Sequence, residues 1–419
     1  IVDGERLEAS FSSSLVFPLV VALMLHSIYA ITMSHNPVKR QALPDQLRGF
    51  ALLGIVVVNM PFLAVSNIGT WDLQLSNLSD KVVAFLIVAL AQGKFYLLFA
   101  FLFGYSLTLI LKSRSTTTIN RYLRRLLGLA LLGAGHAYLF FIGDILMSYA
   151  LLGLVLLLFL GRSTRTVLFA SAVSYLTGLV FLTLVFFESR GAEISGGFIT
   201  NPAALDQALK GTFVDSVVGR ADALPDALLV QLVINWFPAL SMFLLGLASG
   251  RVGLLADPAK HIRLWRSCVI VGVFIGLPAG IASAWLALIP ADPNGVYGIA
   301  GVVVGFAFAP ALSAGYVGAI ALLSHKRIMS YTEPAGRMSL TGYLGESIVL
   351  AAIFCGWGLG LFGVLSLTQS LFVALGVWLA LELFAKQWLQ IFTYGPFEWI
   401  LRSWSNLEIA SLRKSEQSS

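Results

Sequence analysis

The stretch VVAFLIVALAQGKFYLLFAFLFGYSLTLIL, residues 82–111, decides the fold, because it passes roughly thirty positions with one charged side chain, Lys94. A hydrocarbon core about 30 Å thick is spanned by roughly 20 apolar helical residues, and lipid offers an unpaired backbone no partner. The run therefore reads as a membrane helix. It is longer than one straight crossing needs, and Gln92-Gly93-Lys94 near its middle marks where it could break and line a cavity.

The same pattern recurs on both sides of this run. Core segments are expected near 49–66, 82–111, 123–142, 145–160, 167–187, 229–249, 267–289, 297–324, 339–357 and 367–388, and the run at 15–32 would be an eleventh. Hydrophobic residues make up 58%, charged residues 11%, and mean hydropathy is +0.86. A soluble domain is nearer half apolar and a quarter charged. The expected fold is an all-α integral membrane bundle of ten core transmembrane helices, plus a possible extra N-terminal helix. It forms one multi-pass domain over 40–403, with its longest outer loop at 188–228. Residues 1–39 read as an N-terminal extension, within which 1–32 could be an upstream addition or a signal-like helix. Residues 404–419 read as a polar cytoplasmic tail.

The net charge of +6 and pI near 9.3 could suggest nucleic acid, but the basic residues sit in short loops between apolar runs. They read as topology signals, because Lys and Arg are retained on the cytoplasmic side. With the segment before Asp45 inside, 21 of the 27 Lys and Arg residues fall on the inner face. Arg6, Lys81, Arg190, Lys210 and Arg220 fall outside, and Lys94 lies within a segment. Cys268 and Cys355 are the only cysteines and both sit in apolar runs, which excludes a disulfide framework and a CxxC metal site. No metal is expected. In the outer loop, Asn201-Pro202 looks like the start of a short helix, which could cover an outward-facing site or simply connect two crossings. Small residues four apart, such as Gly246 with Gly250 and Gly272 with Gly276, predict close helix contacts.

An ionisable group at mid-bilayer costs at least about 2.5–3.5 kcal/mol, so it normally faces the bundle interior and has a partner. The deep polar groups by this reading are Asn59, Gln92, Lys94, His136 and Glu346, with Asp144 toward the outer end and Glu382 toward the inner one. Of the five histidines, His136 alone lies deep in a core segment, among the small residues of Gly133-Ala-Gly-His136. It could be a catalytic base or a hydrogen-bonded structural residue. Asp144 opens the next apolar run, where an N-capping carboxylate belongs, and could also orient the imidazole. Lys94 could pair with Glu346, polarise a carbonyl oxygen, or be purely structural. At the inner mouth Asp45 is a plausible N-cap and Arg48 a topology anchor. Alternatively, Arg48, Arg124 and Arg125 could hold the phosphates of a cytoplasmic donor.

Several motifs in order resemble one family. They are Leu43-Pro-Asp45-Gln-Leu-Arg48-Gly49 with Asn59, Gly93-Lys94-Phe-Tyr96, His136 with Gly143-Asp144, Gly336-Arg337-Met-Ser-Leu-Thr-Gly-Tyr343, and Gly395-Pro396-Phe-Glu398-Trp399. Together they resemble the YeiB-like bacterial membrane proteins, a domain-of-unknown-function family grouped with transmembrane acyltransferases. The sequence departs from the pattern at Gly342 and Glu346, where Asn and Gln are usual. The resemblance implies the bacterial cytoplasmic (inner) membrane and a cytoplasmic acyl-CoA donor such as acetyl-CoA. It also implies an acceptor glycan, lipid or small molecule reached from outside, and an intramembrane catalytic His, carried onto His136, with Asp45 and Arg48 shaping the site. Asp144 would then favour the required imidazole tautomer, and Lys94 or Asn59 would stabilise the oxyanion. Arg337, Tyr343 and Glu346 are candidate substrate contacts. Two rival readings use the same polar groups: a proton-coupled transporter or exporter, and a non-catalytic membrane binding protein. The expected partners are the bilayer and acyl-CoA, with no nucleic acid, and homo-oligomerisation is left open.

Overall fold

The structure, a computed structural model, describes residues 41–65, 75, 77–110, 116–188, 199–288 and 295–414. The expected extra helix at 15–32 lies outside them. Among the described residues the fold is all-α, with one isolated bridge, Phe392 to Arg413. The chain is a multi-pass membrane protein, and among the described residues seven helical stretches are long and apolar enough to cross a bilayer.

Helix α1 is Ala42–Ala64. It begins several residues before the expected 49, because Pro44 sits in the first turn, where a missing N–H costs nothing. Asp45 is therefore inside that turn and not the N-cap, which is Gln41. The deciding stretch does break. Helix α2 (Leu78–Leu86) runs into a π turn at Ile87–Ala91, Gly93 adopts φ +79°, and α3 (Phe95–Ile110) follows. The carbonyls freed by the break are taken up by protein groups. Lys94 Nζ donates to the Val88 carbonyl at 2.8 Å and Tyr316 to Leu90 at 2.8 Å, while Ser313 adds a second bond at 2.9 Å to the Lys94 carbonyl, which also accepts Leu98 N. Irregular backbone at membrane depth survives only on such terms.

Helix α4 (Thr116–Leu139) and α5 (Leu146–Leu157) form a hairpin. At about 1.5 Å per residue α5 is only about 18 Å long, short of the ~30 Å hydrocarbon thickness. Helix α6 is Thr164–Glu188. Asn201 caps α7 (Pro202–Leu209) through Oδ1, which accepts from Ala204 N at 3.1 Å, as its sequence suggests. The second half of the expected loop is instead helix: α8 (Phe213–Val230) continues through a π turn into α9 (Trp236–Arg251). Helices α10 (Ile262–Val271) and α11 (Leu277–Leu288) are joined by another π turn, and α12 is Val296–Leu323. The short α13 (Glu333–Arg337) leads to α14 (Ser339–Phe354), then α15 (Leu367–Ile391) and α16 (Pro396–Asn406).

Glycines let these helices approach closely. A Cβ at Gly246 would sit 2.0 Å from the Phe101 carbonyl oxygen, and one at Gly272 would sit 2.5 Å from Gly315 Cα. At the end of the bundle bearing Arg48, a Cβ on Gly49 would lie 2.0 Å from the Thr332 carbonyl oxygen, and one on Gly336 would lie 1.7 Å from that of Asp45. The start of α1 and α13 thus touch backbone to backbone. The expected polar tail packs back on the bundle as far as residue 414: Thr393 N donates to Leu412 O, and Trp399 Nε1 to Ala410 O.

Candidate active site

The tip of the α4–α5 hairpin holds the site. His136 closes α4, the chain turns through Phe140–Gly143, and Asp144 opens α5. Asp144 Oδ1 accepts from the amides of Leu146 at 2.8 Å and Met147 at 3.4 Å, capping the helix as its sequence predicts. Its Oδ2 meets His136 Nδ1 at 2.8 Å and accepts the Tyr343 hydroxyl at 3.2 Å. That hydroxyl in turn accepts Ile145 N at 3.1 Å. Capping and orienting are therefore both performed by one carboxylate, each by a different oxygen.

A carboxylate only accepts, so its contact assigns the proton to His136 Nδ1 and leaves a lone pair on Nε2. Nε2 is buried and has no hydrogen-bond partner among the described residues. The ring is 4% exposed and faces Tyr343 with ring centroids 5.5 Å apart, while Phe140 and Phe141 stand beside it. Gly133, one turn earlier, makes room for the carboxylate: a Cβ there would lie 2.6 Å from Asp144 Oδ1.

The turn is roofed by α8 and its continuation. Arg220, only 2% exposed, donates to the Leu139 carbonyl at 2.9 Å and to Cys355 Sγ at 3.3 Å. Gln231 reaches the carbonyls of Gly143 and Asp144 at 3.5 and 3.4 Å. From sequence Arg220 was only counted on the outer side; it is buried because α8 is a helix that lies over the turn.

A second group of residues gathers at the basic end. Arg48 donates to Asp45 Oδ1 at 2.7 Å and to Ser106 at 2.5 Å. Arg125 feels the charges of Arg48, Arg402 and Glu398. Arg124 turns away, donating through Nε to the Ser405 carbonyl at 2.8 Å. Glu398 accepts from the amides of Leu340 and Thr341, at 2.7 and 3.1 Å, and from the Thr341 hydroxyl, and so caps α14. Burial pushes its carboxyl above the ordinary range, and those hydrogen bonds only partly offset this. Arg337 is half-buried at the end of α13. Arg125 and His136 are both on α4, eleven residues apart. That is close to three turns, so they share a face about 16 Å apart along the axis.

Other candidates are placed elsewhere. The expected Lys94–Glu346 ion pair does not form: Lys94 holds the broken end of α2, and both Glu346 oxygens lack a hydrogen-bond partner. Asn59 is half-buried on α1, as is Gln92 at the break. No hydrogen bond among the described residues joins Lys94 or Asn59 to the His136 cluster. Arg402 and Gln231 were not singled out by sequence reasoning, and Glu398 entered only within the Gly395-Pro396-Phe-Glu398-Trp399 motif. Glu398 carried a signal in its Gly395-Pro396 helix start, whereas Gln231 carried none.

Fold and site together define a multi-pass helical membrane protein with a buried His–Asp–Tyr cluster at a hairpin tip. The chain belongs to the YeiB-like family. The family described as "Protein of unknown function (DUF418)" matches residues 249–408. The chain is 31% identical over 389 residues to the uncharacterized protein YxaH of Bacillus subtilis (strain 168), covering 86% of this chain and 92% of that one. It is 30% identical over 389 residues to the uncharacterized protein YeiB of Escherichia coli (strain K12), covering 87% and 96%.

Proposed function

We propose that this protein is a membrane-bound acyltransferase. In this reading it lies in the bacterial cytoplasmic membrane with its basic end inside, and moves an acyl group from cytoplasmic acyl-CoA to an acceptor hydroxyl or amine reached from the other side. The observation that carries the proposal is the buried, unpartnered Nε2 of His136, whose opposite nitrogen is fixed by Asp144. A general base needs this: a lone pair aimed at the reacting centre and a second group that fixes the tautomer.

In the reaction the acceptor O–H or N–H approaches Nε2 as its heteroatom attacks the thioester carbonyl. The proton moves to Nε2, and Asp144 stabilises the imidazolium. The C–S bond then breaks, and the leaving thiolate takes the proton to give free CoA. Arg48, Arg125 and Arg402 at the basic end are suited to the donor's phosphates. The spacing of about 16 Å from Arg125 to His136 along one helix face suits a pantetheine arm lying between them.

Protein in nanodiscs, incubated with a series of acyl-CoAs and candidate acceptors, is expected to release free CoA only when an acceptor is present. His136→Ala should reduce this release by about 10²–10⁴-fold. Release unchanged in that variant would remove His136 from the mechanism. A second reading, ion-coupled transport, draws on the unpartnered carboxyls Glu346 and Glu382. Gradient-driven uptake by proteoliposomes without thioester turnover would select it.

A further inference from the structure

Away from the His136 cluster, a small cavity opens between α1, α13, α14 and α15, and Leu52, Gly342, Glu346, Trp378 and Glu382 contribute to its walls. Glu346 is 2% exposed and Glu382 8%. All four carboxyl oxygens are buried without a hydrogen-bond partner among the described residues. The two groups interact electrostatically, yet neither bonds to the other. The indole N–H of Trp378, also unpartnered, bonds to neither.

Two carboxylates cannot both stay charged at this depth without compensation. No Lys, Arg or His lines the cavity. The other titratable groups on these four helices are Asp45, Arg48, Glu333, Arg337, Tyr343 and Lys386. Arg48 is engaged with Asp45 and Ser106, Tyr343 with Asp144, and Lys386 lies over the Tyr331 ring. Of the charged groups, Glu382 acts on Glu346. The compensating charge must therefore come from a proton or a bound cation. The cavity has room for about one water-sized particle. That excludes a substrate-sized amine.

We propose that this cavity binds one small monovalent cation, Na⁺ in size, between the carboxyls of Glu346 and Glu382, in exchange for a proton. With the site empty both carboxyls are protonated. On binding, one proton leaves to solvent, and the ion sits between one carboxylate and one carboxyl. The inference stands on the cavity and does not depend on the acyl-transfer reading.

The test is direct ²²Na⁺ binding to the purified protein, with thermal unfolding in NaCl against choline chloride at equal ionic strength. Saturable binding is expected, tightening about tenfold per pH unit as one proton is displaced, together with a Na⁺-specific rise in Tm. Glu346→Gln and Glu382→Gln keep the shape of the side chains and should lose both responses. Absence of ²²Na⁺ binding to the unmodified protein between about pH 6 and 9 would overturn the proposal, whether or not the variants fold. So would binding retained in both variants.

Discussion

Replacing Asp144 by Asn tests the site most sharply. The carboxylate receives His136 Nδ1, Tyr343 and Leu146 N at 2.8, 3.2 and 2.8 Å, and Met147 N at 3.4 Å. An amide of the same shape has one accepting oxygen, so one side of the side chain must now donate. If the oxygen keeps the helix cap, the new N–H₂ faces the imidazole. His136 must then move its proton to Nε2 and present Nδ1 as the acceptor. If the oxygen keeps the imidazole, the cap of α5 is lost, at about 1 kcal/mol. Replacing a charge-assisted hydrogen bond by a neutral one costs about a further 1 kcal/mol. Asp144→Asn should therefore lose about 1–2 kcal/mol of stability, seen as a lower Tm in detergent. The chemical loss should be much larger: CoA release should fall by about 10²–10⁴-fold, because the base is in the wrong tautomer, while KM for acyl-CoA stays nearly unchanged. Solid-state ¹⁵N spectra of labelled histidine should show His136 protonated at Nδ1 in the unmodified protein. Protonation at Nε2 there, or Asp144→Asn activity within about twofold of the parent, would refute the reasoning.

Three further outcomes follow from the geometry. Gly133→Ala places a Cβ 2.6 Å from Asp144 Oδ1 and 2.8 Å from Met147 N, whereas a Cβ at Gly135 meets nothing within 4 Å. The first should cost about 1–3 kcal/mol by overpacking and depress CoA release, while Gly135→Ala should leave both the melting curve and the activity unchanged. Arg220→Met removes both donors to the Leu139 carbonyl and Cys355 Sγ. It should destabilise by about 1–3 kcal/mol, the worth of hydrogen bonds made by a charged donor, and amide exchange should rise first in the α4–α5 turn. Glu398 gives a pH signature. Its folded-state pKa is raised above the unfolded value, so its contribution is fully present below about pH 4.5 and is lost as pH rises through the folded pKa. Glu398→Gln, which mimics the protonated form, should flatten that part of the Tm–pH profile, and a profile identical to the parent's would contradict the assignment.

Much of the bundle was legible because partition between water and lipid acts residue by residue. Each expected core segment overlaps a helix, although 140–142 and 355–357 are not helical and only seven stretches among the described residues are long and apolar enough to cross; the break at Gly93 and the cap at Asn201 were written in local chemistry. The outer loop was misjudged in its second half. There α8 has enough polar residues to look solvated, yet it buries Arg220 against a turn some 80 residues away in sequence. His136 and Asp144 could be paired from sequence because they are eight residues apart. Glu346 was matched with Lys94 on charge alone, but Lys94 was already engaged by the carbonyl six residues before it.

By itself, then, the sequence determined an all-α membrane fold, and that His136 and Asp144 stand at one hairpin tip. Each of these follows from hydropathy, helical rise and short-range spacing. Only the tertiary structure decided that Tyr343, 199 residues away, completes the cluster, and that Arg48 and Arg125 stand near each other. It also decided that Glu346 faces Glu382 across a small cavity. Those outcomes depend on which helices pack together and in what rotational register, and glycine contacts such as Gly49 with Thr332 and Gly246 with Phe101 set that register. Side-chain type along the chain does not encode it locally, because every polar residue in an apolar helix needs a partner, and the packing alone chooses which one it meets.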